Sequence, residues 1–240
     1  MKKALILVLV LIIQKCLILN IYGNNNINVD YNSLKSDFSN NLECRCIEDI
    51  CYIKINSFEN NTYNEFKNIV KNYSGKEKFM IDLRNNKGGY IDQSAECAAL
   101  FVKKNTPFLK ISYDNGEERI YCGKKEENSN LRLVVLVNAK TASSAEAFAL
   151  SLKGEGAVLV GEKTYGKNSV QRLIKRDFDI IKYTVGKYIV ENVDFPENGI
   201  IPNIIIHNTS TIIYYEGKYV IKEIDNQFNK AIELFKEVQI

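Results

Sequence analysis

A serine, a lysine and a glycine pair hold the chemistry available to this chain. Ser143 lies in Val137-Asn138-Ala139-Lys140-Thr141-Ala142-Ser143-Ser144-Ala145-Glu146, just after the most apolar run of the sequence. A serine entering a helix N-terminus points its hydroxyl at a place already favourable to negative charge, where the amide of Ser144 can serve an oxyanion. Serines before helices are also ordinary caps, so the segment alone leaves both readings open. Gly88 and Gly89 end Ile81-Asp82-Leu83-Arg84-Asn85-Asn86-Lys87-Gly88-Gly89. Paired glycines can take positive φ and turn N–H groups toward an anion, or simply make a tight strand-to-helix turn. Lys167 sits in Gly161-Glu162-Lys163-Thr164-Tyr165-Gly166-Lys167-Asn168-Ser169-Val170-Gln171. A lysine beside glycine is usually a solvated surface residue and alone means little.

The surrounding patterns say what must position these groups. Cys51–Ile55 alternates apolar and polar residues as a strand does, and Lys78–Leu83 is a short apolar run ending in a polar, glycine-bearing loop. Leu131–Val137 and Ala157–Val160 read as further buried strands, and Asp179–Val190 holds extended, β-branched segments. Helical spacing predicts helices over Thr62–Val70, Asp92–Lys104, Ala145–Leu152 and Asp225–Val238. Strand and helix alternate at least twice, which argues for an α/β domain. Ser143 and the Gly88/Gly89 loop each fall where a buried strand hands over to a helix.

Together the three segments resemble the carboxyl-terminal processing (tail-specific) peptidases. That family carries Asp-Leu-Arg-x-Asn-x-Gly-Gly, then Ser-Ala-Ser-x-x-Glu, then Thr-aromatic-Gly-Lys followed by Gln, and all three occur here in that order. The resemblance extends through Gly199-Ile200-Ile201-Pro202-Asn203 and Asp225-Asn226-Gln227-Phe228-x-x-Ala231, spanning roughly residues 46 to 235. It implies a single-domain α/β fold with a ClpP/crotonase-like layered sheet-and-helix core. It also implies a serine endopeptidase that acts through an acyl-enzyme without metal or cofactor. Ser143 matches the nucleophile, Lys167 the general base and Gln171 the group that orients its amine. Gly88, Gly89 and the Ser144 amide correspond to the oxyanion hole. Lys87, Thr141 and Asn203 depart from the family's usual Pro, Ser and Asp, none at a catalytic position.

The assignment makes physical sense. A serine hydroxyl is a weak nucleophile until a base takes its proton, and a lysine must be neutral to do so. Lowering a lysine pKa from about 10.4 to about 7 costs roughly 4.6 kcal/mol, which burial supplies. A neutral Gln171 accepts from the amine without adding charge, whereas a carboxylate would favour the ammonium. His207, the chain's one histidine, follows Ile204-Ile205-Ile206 and reads as a strand-end or surface residue. The rival reading is a catalytically silent module of the same fold that binds peptide or apolar ligands. Such a module needs none of Ser143, Lys167 and Gln171. A regulator or pseudo-enzyme is a third reading. Residues 24 to 50 are too few for the PDZ domain that the family usually carries ahead of its core, so selection by such a tethered module is not expected.

The 240 residues suit one sizeable core, and a net charge of +3 is too small to argue for nucleic acid or an anionic membrane as partner. Lys2 and Lys3 followed by the apolar run Ala4–Ile13 have signal-peptide form. Lys15 would sit near the centre of an uncleaved span at a cost of about 2.5–3.5 kcal/mol, which favours cleavage over a membrane tether. The expected organisation is a signal peptide or anchor at 1–23, a polar lead-in at 24–45 and the catalytic domain at 46–240, with the chain facing outward from the cytoplasm and polypeptide as substrate. Export permits disulfides among Cys44, Cys46, Cys51, Cys97 and Cys122. The spacing of the first three lacks the paired motif and nearby histidine of a zinc site.

Overall fold

The computed structural model describes residues 41–237 except 74, 127–129, 177–178, 192, 194, 197 and 216–217. The expected signal segment 1–23 and most of the lead-in lie outside the described residues. Strand β1 (Leu42–Ile47) begins inside the stretch expected as lead-in. It forms an antiparallel hairpin with β2 (Ile50–Ile55). From β2 the main sheet continues with β3 (Lys78–Asp82), β6 (Arg132–Val137), β7 (Val158–Gly161) and β10 (Ile204–Ile205), all parallel. The central strands β3 and β6 are covered on both faces, which is why they read as continuous apolar runs.

A second, antiparallel sheet has the order β5-β4-β9-β8, from β4 (Pro107–Tyr113), β5 (Glu118–Cys122), β8 (Ser169–Arg176) and β9 (Asp179–Val190). A separate two-stranded ribbon joins β11 (Thr209–Tyr215) to β12 (Lys218–Ile224).

Helices α1 (Thr62–Asn72), α2 (Ile91–Ala99) and α3 (Ser144–Gly154) pack side by side. α1 buries Thr62, Phe66 and Ile69, one stripe at helical spacing. α3 touches strands of both sheets and is buried continuously from Ser144 to Leu152. Ala145, Ala147, Ala149 and Ser151 let its backbone approach its neighbours on every side. At the centre, Phe148 meets Phe58 and Phe66 with ring centroids 5.7 and 6.1 Å apart, and Phe101 meets Phe66 and Phe79 at 5.8 and 5.4 Å. Such ring pairs add about 0.5–1.5 kcal/mol each beyond the area they bury.

α2 stops at Ala99, five residues before its expected end at Lys104. Tertiary pairing overrides the helical pattern there. The Ala99 carbonyl accepts from the Lys124 N–H at 2.7 Å, and Lys103 and Lys104 bridge to Lys125 and Gly123. Phe101 and Val102 still reach the core from the turn that follows the helix, each fully buried. At the C-terminus, helix α4 (Asn226–Lys236) starts at Asp225, whose side chain accepts from the Phe228 N–H, and packs on β6 and β7. Arg84 locks it to the end of β3. The guanidinium reaches Asp82 Oδ2 and Asp225 Oδ1, each at 2.6 Å, while the Tyr52 hydroxyl donates to Asp82 at 2.9 Å. The layered α/β core implied by the sequence is therefore present, with two sheets enclosing α3.

Candidate active site

The chain leaves β3 through the loop Leu83–Gly89 and leaves β6 through Asn138–Ser143, and the two loops interlock. The Ala142 N–H donates to the Asn86 carbonyl at 2.9 Å, and the Thr141 hydroxyl to the Leu83 carbonyl at 2.9 Å. Asn138 accepts from the Asn85 N–H at 3.0 Å. Fully buried Asn86 organises the glycine loop: its amide donates to the Ile55 carbonyl at 2.9 Å, and its oxygen accepts from the Gly88 N–H at 2.8 Å.

The glycines are there because other atoms come too close for a side chain. A Cβ on Gly88 would lie 2.9 Å from Ser143 Cβ and 3.1 Å from the Ser144 nitrogen. A Cβ on Gly89 would lie 2.2 Å from the Phe58 carbonyl oxygen. Both also take positive φ, at 100° and 139°. The Gly88 N–H is committed to Asn86, whereas those of Gly89 and Ser144 make no hydrogen bond among the described residues. Both residues line the same cleft, and Ser144 opens α3, where the helix dipole adds positive potential.

Ser143 itself sits at φ 60° and ψ −126°, outside the ordinary regions for a residue with a Cβ. Such a conformation costs about 1–3 kcal/mol and persists only where the surroundings impose it. Here the constraint is Glu146, buried without exposed area. Its Oε2 accepts from the Ser143 N–H at 2.8 Å and from the Lys167 N–H at 2.9 Å. Its Oε1 accepts from the Thr164 hydroxyl at 2.5 Å and the Gly166 N–H at 2.7 Å. One carboxylate thus joins the serine turn to the lysine loop. That loop is braced from behind, since the Ile200 N–H donates to the Thr164 hydroxyl at 2.8 Å.

Ser143, Ser144, Gly89, Lys167 and Gln171 line one cleft of about 440 Å³. Lys167 Nζ donates to Gln171 Oε1 at 2.7 Å. Burial, and secondly the nearby Lys182 charge, hold the Lys167 amine below the usual lysine range. No hydrogen bond joins Lys167 Nζ to Ser143 Oγ. The cleft therefore combines a strained serine, a lysine whose charged form is disfavoured and a pair of free amides. These are the parts required for nucleophilic attack with anion stabilisation.

His207 lies away from the cleft, 71% exposed and 3.0 Å from Glu162. Among the described residues no group of three or more His, Cys, Asp or Glu side chains is gathered for a metal. The five cysteines from Cys44 to Cys122 are free thiols. The sequence reading gave no role to Glu146 or to Tyr188, which also lines the cleft. For Glu146 a signal existed, because Ser-x-x-Glu is the capping-box spacing. For Tyr188 there was none.

Comparison with known proteins shows what this chain is similar to. The signature of Peptidase family S41 matches residues 49–206. The carboxy-terminal processing protease CtpA of Bacillus subtilis (strain 168) is 32% identical over 157 residues, which is 63% of this chain and 34% of that protein. A probable CtpA-like serine protease of Staphylococcus aureus (strain COL) is 30% identical over 213 residues, 75% of this chain and 43% of that protein. This chain thus spans less than half the length of these curated relatives. Among solved structures, the photosystem II D1 C-terminal processing protease superposes with a TM-score of 0.55 at 26% identity, covering 66% of this chain and 42% of that one. With two thirds of its length matched by the signature, the chain belongs to peptidase family S41.

Proposed function

We propose that the chain is a serine endopeptidase that cleaves peptide bonds through an acyl-enzyme, with Ser143 as nucleophile and Lys167 as base. The observation that supports this most is the shared Glu146 carboxylate, which holds the main chains of Ser143 and Lys167 to one oxygen atom. Neutral Lys167 takes the Ser143 proton as Oγ attacks the scissile carbonyl. The carbonyl oxygen becomes an oxyanion facing the amides of Gly89 and Ser144, with Gly88 shaping the loop. The resulting ammonium gives its proton to the leaving amine. Water then attacks the ester by the reverse route, with Lys167 again as base. Gln171 holds the amine without charging it. In the substrate-free chain the amine rests on Gln171, and the flexible lysine side chain must swing to Ser143 for proton transfer. A substrate filling the cleft would exclude water and disfavour the ammonium further.

The reading includes export: the basic and apolar N-terminal segment supports an outward-facing protein, anchored or released, acting on exported polypeptides. Among the described residues no helix is long and apolar enough to cross a membrane.

The test is labelling by a fluorophosphonate probe, with the modified peptide identified by mass spectrometry. Wild type should be labelled on Ser143, and Ser143→Ala should not be labelled while melting cooperatively. An unlabelled wild type would favour the silent binding module instead.

A further inference from the structure

We propose that Tyr188 is a positioning residue of this site, whose phenol hydroxyl fixes the Lys167 main chain against the wall of the cleft that holds Ser143. The inference rests on the peptidase reading above. Tyr188 lies on β9, where it pairs with Ile111 of β4, and is 2% exposed. Its ring packs edge-on against Phe195 at 5.3 Å and forms a wall between the cleft and a second cavity of about 650 Å³. A buried tyrosine ring needs no functional explanation, but its hydroxyl does, because of where that hydroxyl is placed.

Tyr188 grips the lysine loop at two consecutive residues. Its N–H donates to the Asn168 carbonyl at 3.0 Å, and its hydroxyl donates to the Lys167 carbonyl. A phenol has one proton, and here it goes to the Lys167 carbonyl. Tyr188 lines the cleft together with Ser143 and Lys167, so the main chain that carries the amine is held against the cleft wall. Glu146 fixes Ser143 and Lys167 through their N–H groups, and Tyr188 fixes Lys167 through its carbonyl. The two contacts come from opposite sides of the site, α3 and β9.

Tyr188→Phe removes the hydroxyl and keeps the ring, its packing and the wall. The groups that share the cleft with Lys167, namely Glu59, Lys87, Asp92 and Lys182, are unchanged, as is Glu146 behind it. The measurement is the rate of Ser143 labelling by a fluorophosphonate against pH and probe concentration, with a thermal melt alongside. In Y188F the saturating labelling rate should fall about tenfold, the loss of one hydrogen bond that positions the base, with half-saturation changed by less than about twofold. Its rising pH limb should move to higher pH, because a released Lys167 regains water around its amine. Equal rates and an unmoved limb in a folded Y188F would overturn the role of Tyr188 and leave the peptidase reading standing. A Y188F chain that no longer folds would overturn it as well, by showing that the hydroxyl serves the fold. A wild type that is never labelled would overturn the peptidase reading, and this inference with it.

Discussion

Ser143 and Lys167 donate their backbone N–H groups to the same atom, Oε2 of Glu146, at 2.8 and 2.9 Å. The two residues proposed to exchange a proton are thus registered through their main chains. Side chains that swing, as the Lys167 amine must, still start from fixed anchors.

Glu146→Gln tests that registration. The substituted amide keeps one acceptor oxygen, and its NH₂ group faces either the Ser143 and Lys167 N–H groups or the Thr164 hydroxyl and the Gly166 N–H, so at least one N–H donor loses its partner. Unsatisfied buried donors cost about 1–3 kcal/mol each. The variant should lose about 1–3 kcal/mol in a denaturant titration on that basis, and Ser143 should no longer be labelled even where the chain is folded. A folded Glu146→Gln chain labelled at the wild-type rate would separate Glu146 from function.

Ser143 should show a conflict between stability and activity. Its φ of 60° with ψ −126° is natural for glycine and strained for serine. Ser143→Gly should therefore stabilise the fold by about 1 kcal/mol while removing the nucleophile. The backbone N–H to Glu146 is retained. A melting temperature equal to or below that of wild type would refute the strain assignment.

Much of this site could be read from sequence, for identifiable reasons. β3 and β6 are buried on both faces, so each left a continuous apolar run, and the loops that follow them fell where expected. The helix expected to Lys104 ends at Ala99 because residues 103–105 pair with 123–125, a contact that helical spacing cannot reveal. Strands β4, β5, β8, β11 and β12 were not foreseen. In β8, Gln171 to Ile174 are all exposed, and Ile212, Tyr214, Tyr219 and Ile221 of the ribbon also face solvent, so no burial imposes a sharp alternation. Gly88 was expected to offer its amide to an oxyanion. The neighbouring Asn86 side chain takes that amide instead, and a loop motif does not say which of its donors stays free. Tyr188 enters the site only because β9 pairs with β4 and β8 in one register.

The join between α4 and the main sheet should be sensitive to Arg84. Asp82 is almost fully buried and accepts from Tyr52 as well as from Arg84, which also reaches Asp225. Arg84→Met removes the cation and leaves the buried carboxylate facing no opposite charge. Breaking a buried pair from one side costs about 3–5 kcal/mol. Adding Asp82→Asn to Arg84→Met should recover part of that loss, since the uncompensated charge is then gone. Denaturant titration of both single variants and the double variant measures the coupling. A coupling energy near zero would show that Arg84 acts through packing alone.

The pH dependence of Ser143 labelling gives the most direct test of the base. Burial and the Lys182 charge lower the Lys167 pKa, so at a given pH more of the amine is neutral than in a free lysine. Neutral amine is the competent form. Labelling should therefore rise with pH along one ionisation lying below the value of about 10.4 for free lysine. Lys182→Gln removes one of the two causes, and the limb should move up in pH. Gln171→Glu places a negative charge 2.7 Å from the amine, favours the ammonium and should move the limb up further. Lys167→Arg should abolish labelling at every pH tested, because a guanidinium keeps its proton throughout this range. All three variants are polar replacements in an open cleft, so their melting temperatures should stay close to that of wild type. An active Lys167→Arg chain would return Lys167 to the status of a surface residue. It would leave His207, exposed and paired with Glu162 away from the cleft, as the chain's one imidazole base.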